Sequence, residues 1–488
     1  MAMRIVQRAK REVAERVLGQ ALGLLGNSPD KGAPYVIKAI EHIARSEKQG
    51  VIRDWAYNWL GEGKPGREFL GRILANVHPN VRRRYIARMV VSMLFRDPQI
   101  REYCMRKYGI SPPYTMLISP TMRCNFRCQG CYAASYRHED DMRPQVFDRV
   151  IGEAENIGVN FFIVLGGEPF LYPELLPTIR KHNKSFFQLY TNGSLIDRGM
   201  AKKLVQLGNV GPQLSVNGPA EYTDASRGKG AFNQVMQAMD NLRDAGCVFG
   251  FSSLLTRDNL DAVCSEEWMD LLIEKGALYG WLFLYMPVGD DVDINLMPTP
   301  EQRTKLRIAM RHFRETKPIL PIDFWNDGTL TGGCIAGGRL YFHINHQGDV
   351  EPCIFCHFAT HNINNCSLAE ALASPFFMGI KESQPFSYNT LRPCPMIDHP
   401  ETMWGIIQQH EAKPTHPGAE KIFTSLEPEI KRSAARVEEI MDEVWDNEDY
   451  HDWAARWEGM CGIPPERLKA RRQVYEESRA KRRNHILV

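Results

Sequence analysis

Short apolar segments alternate with longer mixed segments between residues 115 and 285, and this alternation restricts the folds open to the chain. The apolar segments have the length of strands, and the mixed segments are long enough for helices. Strands separated by helices predict a parallel sheet, either open or curled into a partial barrel. The six apolar segments are TMLIS (115–119), FFIVL (161–165), FFQLY (186–190), QLSV (212–215), VFGFSSLL (248–255) and YGWLFLY (279–285).

The least common sequence signals follow the ends of these predicted strands. A loop with three cysteines follows the first strand, GGEP the second, YTNG the third and Asn-Gly the fourth. Ligands of parallel α/β folds bind at the C-terminal ends of the strands. The sequence therefore predicts that these loops meet in one binding site.

The first loop, RCNFRCQGCY, carries Cys124, Cys128 and Cys131, separated by three and then two residues. Zinc sites usually take cysteines in pairs, and disulfides take even numbers. A four-iron cluster held by only three thiolates keeps one iron open for a ligand with an amine and a carboxylate. A degenerate zinc knuckle is the alternative, and it would need a fourth ligand such as His138.

The spacing Cys-x3-Cys-x2-Cys after a first strand resembles the signature of the radical S-adenosylmethionine (radical SAM) enzymes. The resemblance implies a [4Fe-4S] cluster on the three cysteines, bound with S-adenosyl-L-methionine at its open iron. It also implies reductive cleavage of that cofactor to a 5′-deoxyadenosyl radical, which abstracts hydrogen from an unactivated C–H bond. The implied fold is α/β, a partial (β/α)6 TIM-like barrel over residues 112–330.

The resemblance extends to the other strand ends. The carboxylate of Glu168 can hold the cofactor's ammonium group, and the glycines before it let the backbone approach. Polar groups after the fourth and fifth strands are expected to meet the rest of the cofactor or the substrate. The predicted contacts are Gly166, Gly167, Glu168, Pro169, Thr191, Asn192, Arg227, Gly228, Ser253 and Asn259.

One position departs from the family pattern. The residue before the third cysteine is usually aromatic and packs on the adenine, whereas here it is Gly130. Tyr132 or Phe126 are the candidates to replace it.

A second cysteine constellation lies at residues 331–400. The spacing Cys-x13-Gly-x4-Cys resembles the start of the SPASM/twitch extension of one radical SAM branch. It is formed by Cys334, Gly348 and Cys353, and Cys356 and Cys394 follow. YFHINHQGDVEPC predicts a hairpin with Gly348 at its turn. Four thiolates can ligate a second, auxiliary [4Fe-4S] cluster, and structural zinc is the alternative.

Helical segments flank these two regions. Residues 1–115 contain 21 Lys and Arg against 10 Asp and Glu, so residues 1–111 are predicted to form a basic helical region, and residues 401–488 a helical tail. Arg82, Arg83, Arg84 and Arg88 are expected either to face an anionic membrane surface or to pair with acidic groups on the barrel. The N-terminus shows no signal-peptide pattern and no segment has transmembrane length, so the expected location is cytoplasmic, with peripheral membrane contact through the basic region.

Three functions follow as hypotheses. The first is a radical SAM enzyme with an auxiliary cluster that acts on a lipid-like or apolar small molecule, supported by the basic N-terminal region. The second is a peptide- or protein-modifying SPASM maturase, and the third a non-catalytic iron–sulfur redox sensor. GGEP argues against the sensor, which needs no methionine site. Each enzymatic hypothesis implies a reductant such as flavodoxin or ferredoxin.

Overall fold

A nine-stranded sheet forms the centre of the protein in a computed structural model that describes residues 59–61, 63–86, 89, 98–134, 136, 141–289, 291–448 and 463–486. The strands lie in the order β7-β6-β5-β4-β3-β2-β1-β8-β9, and all adjacent pairs are parallel except β8 and β9. The strands are β1 (Thr115–Thr121), β2 (Phe161–Gly166), β3 (Phe186–Thr191), β4 (Val210–Ser215), β5 (Gly250–Leu255), β6 (Tyr279–Leu284), β7 (Leu320–Asp323), β8 (Tyr341–Ile344) and β9 (Val350–Glu351). A separate antiparallel pair joins β10 (Phe358–Ala359) to β11 (Lys413–Pro414).

Helices connect the parallel strands and cover the outer face of the sheet. Alternate strand residues such as Met116, Ile118 and Phe162 are fully buried beneath them. The helices are α1 (Pro65–Asn76), α2 (Pro79–Val81), α3 (Pro98–Tyr108), α4 (Pro144–Asn156), α5 (Leu175–Lys181), α6 (Arg198–Leu207), α7 (Ala220–Arg227), α8 (Ala231–Ala245), α9 (Leu260–Val263), α10 (Glu266–Glu274), α11 (Pro300–Thr316), α12 (Gly328–Thr331), α13 (Leu368–Leu372), α14 (Pro375–Ser383), α15 (Pro400–Gln409), α16 (Glu427–Asn447) and α17 (Pro465–Ile486).

Local sequence signals set the helix ends. The side chain of Asp197 accepts a hydrogen bond from Met200 N–H and begins α6, and Gly208 ends it in the left-handed conformation. Thr299 and Gln302 form a reciprocal capping box at the start of α11. The α/β partial-barrel prediction is confirmed, and all six predicted strands are present.

The chain after residue 330 shares the sheet of the barrel. β8 pairs in parallel with β1, from Thr115 opposite Tyr341 to Ile118 opposite Ile344. β8 and β9 form the predicted hairpin, with Gly348 at a φ of 92° in the turn. The hairpin therefore extends the barrel wall beyond β1.

The described part of the N-terminal region packs against the barrel helices. Two arginines donate to main-chain carbonyls at helix C-termini: Arg84 Nη1 to Leu207 O at 3.1 Å, and Arg72 to Ala277 O at 2.8 Å and Ile273 O at 2.7 Å. Such bonds satisfy carbonyls that have no partner within their own helix. The cationic side chains thus act as caps for α6 and α10.

The four arginines predicted to face a membrane or the barrel have different surroundings in the structure. Arg82 donates to Leu74 O at 3.1 Å, Arg84 is bound to the barrel, and Arg83 is exposed. Arg88 lies outside the described residues. The contacts of Arg82 and Arg84 are made to carbonyl oxygens, whereas the second alternative named acidic groups on the barrel, and membrane contact stays a prediction.

The C-terminal helices α16 and α17 pack on the extension through a small apolar cluster. Its members include Tyr388, Val437, Met441, Trp445 and Tyr475. Within the described residues, no helix combines the length and the apolar character that crossing a bilayer requires.

Candidate functional site

A cavity of about 900 Å³ occupies the inside of the partial barrel. A closed eight-stranded barrel fills its interior with side chains, whereas this sheet is open between β7 and β9 and leaves space along its inner face. The inward residues of β1, β2, β5 and β6 line the cavity, among them Leu117, Ile163, Leu254 and Phe283. Residues of the C-terminal extension close the remaining side: Ile335, Leu340, Tyr341, Ile354 and Phe355.

The three-cysteine loop forms the end of the cavity at the C-terminal edge of the sheet. Cys124, Cys128 and Cys131 all lie in the cavity wall; Cys124 is exposed and the other two are half-buried. Partial loss of hydration at the cavity wall raises the pKa of the Cys124 thiol, and burial raises that of Cys131 to about 11. Thiols of this kind ionise readily only with help, which a bound metal provides.

Two polar side chains approach the thiols. Asn192 Nδ2 is 3.9 Å from Cys124 Sγ, and Arg227 Nη1 is 3.8 Å from Cys128 Sγ. Both can donate to sulfur, and such bonds tune iron–sulfur clusters. No group of three or more His, Cys, Asp or Glu side chains within the described ranges is arranged to hold a single metal ion. The all-thiol donor set instead suits a polynuclear cluster, in which each thiolate binds its own iron.

Glu168 lies just behind the wall formed by Gly166 and Gly167. Its carboxylate is 1% exposed and accepts hydrogen bonds from Thr191 Oγ1 at 2.8 Å and from Asn192 N–H at 2.8 Å. Burial raises its pKa to about 6. Because Thr191 and Asn192 themselves line the cavity, Glu168 fixes the end of β3 against the cysteine loop.

The predicted contacts after the fourth and fifth strands divide into two groups. Arg227 lines the cavity and donates to Asn217 Oδ1 at 3.1 Å. Ser253 and Asn259 are buried outside the wall: Ser253 donates to Val216 O at 2.6 Å, and Asn259 Nδ2 to Asn217 O at 2.9 Å. They support the strand ends and do not reach the cavity, because the neighbours of Ser253 along β5 face it instead.

Three polar residues reach the cavity on this side: Ser215, Asn217 and Ser252. The sequence marked Asn217 as part of the Asn-Gly after the fourth strand, whereas the two serines were not predicted. Ser252 lies two residues before Leu254, and both face the cavity as alternation along a strand requires, but the sequence alone does not tell which of Ser252 and Ser253 faces inward. Pro169 begins a 3-10 turn and is buried outside the wall.

The geometry at Gly130 disfavours any side chain there. Its φ is 72°, and an added Cβ would lie 3.0 Å from the ring of Tyr285. Phe126 and Tyr132 both line the cavity, but the hydroxyl of Tyr132 accepts a hydrogen bond from Gly166 N–H at 3.0 Å. Phe126 therefore has fewer constraints for packing on a ligand.

The second set of cysteines lies beside the cavity wall. Cys334, Cys353, Cys356 and Cys394 are close enough to influence one another's ionisation, and burial raises the pKa of Cys334, Cys353 and Cys394 to about 12. Tyr341 Oη is 2.8 Å from Cys353 Sγ. The thiol of Cys366 donates a hydrogen bond to Asn362 O at 3.4 Å, and Cys366 is not among the residues that influence the ionisation of these four cysteines.

A buried ion pair holds the Cys394 loop. Arg303 Nη1 donates to Asp398 Oδ1 at 2.6 Å, and Asp398 Oδ2 accepts from Cys394 N–H at 3.0 Å. Both side chains are at most 3% exposed. Sequence reasoning did not find this pair, because its members are 95 residues apart.

A buried carboxylate, also not predicted, joins the hairpin to the barrel. Glu351 accepts from Tyr136 Oη at 2.9 Å and lies 2.6 Å from His343 Nδ1, while His343 Nε2 is 2.7 Å from Ser119 Oγ in β1. Burial opposes its ionisation, but His343 and His357 hold the pKa of Glu351 well below its usual range. The network locks the extension onto the strand that precedes the cysteine loop.

Comparisons with known proteins agree on the class of the central region. Residues 118–264 match the model of the radical SAM superfamily. An AdoMet-dependent heme synthase of Oleidesulfovibrio alaskensis is 26% identical over 51% of this chain and 72% of its own length. Mycofactocin maturase MftC of Mycolicibacterium smegmatis is 30% identical over 51% of this chain and 66% of its own length.

A solved structure shares the fold. The crystal structure of SuiB from Streptococcus suis matches 60% of this chain and 73% of its own, with a TM-score of 0.50 and 18% identity. At that identity the similarity concerns the fold alone.

Proposed function

We infer that this enzyme, whose residues 118–264 form a radical SAM domain, uses the three-cysteine loop to bind a [4Fe-4S] cluster with S-adenosyl-L-methionine and acts on an apolar substrate in the barrel cavity. One observation carries the proposal: Cys124, Cys128 and Cys131 stand at the end of a cavity of about 900 Å³. Apart from polar groups near the cysteine loop, that cavity is lined mainly by aliphatic and aromatic side chains.

The loop residues provide what such a cofactor needs. Cys124, Cys128 and Cys131 would hold the cluster. When bound, it would supply the electron that cleaves S-adenosyl-L-methionine and so starts hydrogen abstraction. Gly166 and Gly167 bring main chain to the wall, and an added Cβ on Gly167 would lie 2.2 Å from Arg123 O. Asn192 and Arg227 place donors beside two of the sulfurs.

The second cysteine set would hold an auxiliary cluster. Cys334, Cys353, Cys356 and Cys394 are all half-buried or buried, and Ile335, Ile354 and Phe355 beside them form part of the cavity wall. An auxiliary cluster there would lie close to a bound substrate. Structural zinc on the same thiols is the competing assignment.

An apolar, lipid-like substrate suits the part of the cavity away from the cysteine loop better than a peptide does. A buried peptide must find partners for its N–H and C=O groups, because an unpaired buried polar group costs about 1–3 kcal/mol. Trp281, Phe283 and Phe324 form an aromatic wall there, with ring centroids 5.1–6.2 Å apart. The 30% identity to a protein named mycofactocin maturase favours the peptide hypothesis as the second candidate.

The cysteine assignment is tested with a triple variant. Replacement of Cys124, Cys128 and Cys131 by Ala should abolish production of 5′-deoxyadenosine by anaerobically reconstituted protein incubated with S-adenosylmethionine and reductant. The lone cysteine variant Cys366→Ala is the control and should retain it. Production of 5′-deoxyadenosine by the triple variant would refute the assignment.

Metal content tests the auxiliary site on the same proteins. A wild-type protein with two clusters should carry about eight irons, and the triple variant about four. Stoichiometric zinc in place of the second set of irons would favour the structural alternative.

A further inference from the structure

We propose that Tyr341 is a positioning residue for the second cysteine set: its hydroxyl donates a hydrogen bond to the sulfur of Cys353 and favours reduction of a cluster held there. This inference rests on the proposed function, because it concerns the auxiliary site of that proposal. Two observations carry it: the contact between Tyr341 and Cys353, and the fixed place of Tyr341 between the cavity and the four cysteines.

The chemistry of the site sets the direction of the hydrogen bond. The contact joins Tyr341 Oη to Cys353 Sγ over 2.8 Å. Either atom can donate while Cys353 is a thiol, but a cysteine that binds a metal ion has lost its proton. A phenol keeps its proton at neutral pH. In a loaded site Tyr341 is therefore the donor and Cys353 the acceptor.

Main-chain bonds hold Tyr341 in place. Its N–H donates to Ile335 O at 3.1 Å and its carbonyl accepts from Gly338 N–H at 2.9 Å, which ties it to the loop that begins at Cys334. On its other side, β8 pairs with β1, and Tyr341 lies opposite Thr115. Only 4% of Tyr341 is exposed, so its hydroxyl has little freedom to move away from the sulfur.

Tyr341 separates the cavity from the second cysteine set. It is part of the cavity wall, and its ring packs against that of Phe324 on the same wall with centroids 6.2 Å apart. None of the four cysteines is among the described residues of that wall. Four thiolates can bind all the irons of a [4Fe-4S] cluster, so a substrate in the cavity would meet the ring of Tyr341 and not an open iron. The side chain of Tyr341 thus contacts both the substrate space and the sulfur of Cys353.

A hydrogen bond to a ligating sulfur changes the reduction equilibrium. Reduction adds negative charge, part of which lies on the sulfur atoms, and the positive end of an O–H dipole stabilises that charge. Main-chain groups also donate to the set, for example Phe355 N–H to Cys353 Sγ at 3.5 Å. Side-chain substitution leaves these main-chain donors in place. The contribution of the Tyr341 hydroxyl can therefore be measured separately.

The triple variant at Cys124, Cys128 and Cys131 provides the background for the test, because only the auxiliary site should be loaded in it. Tyr341→Phe in this background removes the hydroxyl and keeps the ring. Reduction should become about tenfold less favourable, a shift of about 59 mV to more negative potential for a one-electron couple. Potentiometric titration followed by electron paramagnetic resonance measures the shift.

Tyr475→Phe in the same background is the matched control. It also removes a buried tyrosine hydroxyl, which donates to Asp442 Oδ1 at 3.1 Å and lies on α17. The potential should not change in this variant. If Tyr341→Phe fails to fold, Tyr341→Leu, which also lacks a donor, replaces it. Iron content and a thermal melt show that each variant is loaded and folded.

The outcomes separate this inference from the proposed function. An unchanged potential in a Tyr341→Phe variant that keeps about four irons would overturn the role of Tyr341 and leave the auxiliary cluster standing. An equal shift in Tyr475→Phe would also overturn it, since the effect would then not depend on the bond to sulfur. Stoichiometric zinc without a reducible couple in the triple variant would refute the auxiliary cluster itself, and the role of Tyr341 with it.

Discussion

The carboxylate of Glu168 shows how a residue can serve the site without lining it. It was predicted to hold the cofactor's ammonium group, yet in the described structure its oxygens accept from Phe170, Thr191 and Asn192. Those bonds fix Thr191 and Asn192, which do line the cavity. Direct contact of Glu168 with a cofactor stays a prediction. The structure shows that Glu168 positions Thr191 and Asn192.

The same burial gives Glu168 a measurable effect on stability. Its pKa rises from 4.5 to about 6 because burial disfavours the charged form, so the folded state binds the proton more tightly than the unfolded chain. The contribution of this group to the free energy of unfolding should therefore fall by about 2 kcal/mol as the pH rises from about 4 to about 7. Urea unfolding between pH 4 and pH 7 should show this slope in the wild type and a smaller one in Glu168→Gln. Identical slopes would contradict the assignment.

Gly211 in β4 is predicted to be intolerant of any side chain. A Cβ there would lie 2.8 Å from both Cζ and Oη of Tyr85. Gly211→Ala should therefore lower the free energy of unfolding by about 1–3 kcal/mol, as overpacked cores do. The measurement is the urea midpoint of unfolding, which should fall while the dependence of the free energy on urea concentration stays the same.

A double variant distinguishes this clash from a general effect of the substitution. Adding Tyr85→Ala removes the atoms in conflict, so the effect of Gly211→Ala should largely disappear in that background. Gly405→Ala in α15, where an added Cβ meets nothing within 4 Å, is the control and should not lower the free energy of unfolding. Strict additivity of Gly211→Ala and Tyr85→Ala would show that the ring of Tyr85 is not the obstacle.

At the scale of elements, the N-terminal arginines act as helix caps. Arg84→Met removes the bond to Leu207 O at the end of α6 and should lower the free energy of unfolding by about 1–2 kcal/mol. Arg83→Met, at the exposed neighbour, should leave it unchanged. Thermal melts of the two variants make the comparison, and an equal loss in both would argue against capping.

The membrane hypothesis predicts the opposite ranking in a second measurement. If exposed basic residues meet an acidic lipid surface, each contributes on the order of 1 kcal/mol to binding. Arg83→Met should then weaken co-sedimentation with acidic vesicles about fivefold. No binding by the wild type would remove this support for a lipid substrate.

Elements with strong local signals were predictable from the sequence, and those set by distant partners were not. All six apolar segments became strands, and FFIVL, FFQLY and YGWLFLY are rich in β-branched or aromatic residues. β7 was missed: four residues with a proline, LPID, give almost no pattern. The hairpin at Gly348 was predicted, but its place beside β1 depends on pairings that no local pattern reports.

The candidate site divides in the same way. Loops at strand ends were predictable because topology alone brings them together, and the cysteines, Gly166, Gly167 and Asn192 line one cavity. Which side chains of β5 face the cavity was not predictable, because two adjacent serines, Ser252 and Ser253, hide the alternation of inward and outward residues. The open interior could not be read from the sequence either, since a filled barrel uses similar apolar residues.

For the whole molecule, the shared sheet predicts one cooperative unfolding transition. β8 continues the barrel sheet, and Glu351 ties the hairpin to β1 through His343 and Ser119. Unfolding followed by tryptophan fluorescence and by far-ultraviolet circular dichroism should therefore give coincident curves. Phe342→Ala, at a fully buried position in β8, should shift both curves together, by about 3–5 kcal/mol. Separate transitions would show that the extension folds on its own.

The position of β8 also has a consequence for biosynthesis. β1 is completed early in translation, but one of its two neighbours in the sheet is made only after the whole barrel has left the ribosome. At about 5–20 residues per second, that delay is on the order of tens of seconds. During it, the nascent barrel presents an unpaired apolar strand edge, which other chains can pair with. Newly made protein should therefore depend on chaperones until its last strand pair has formed.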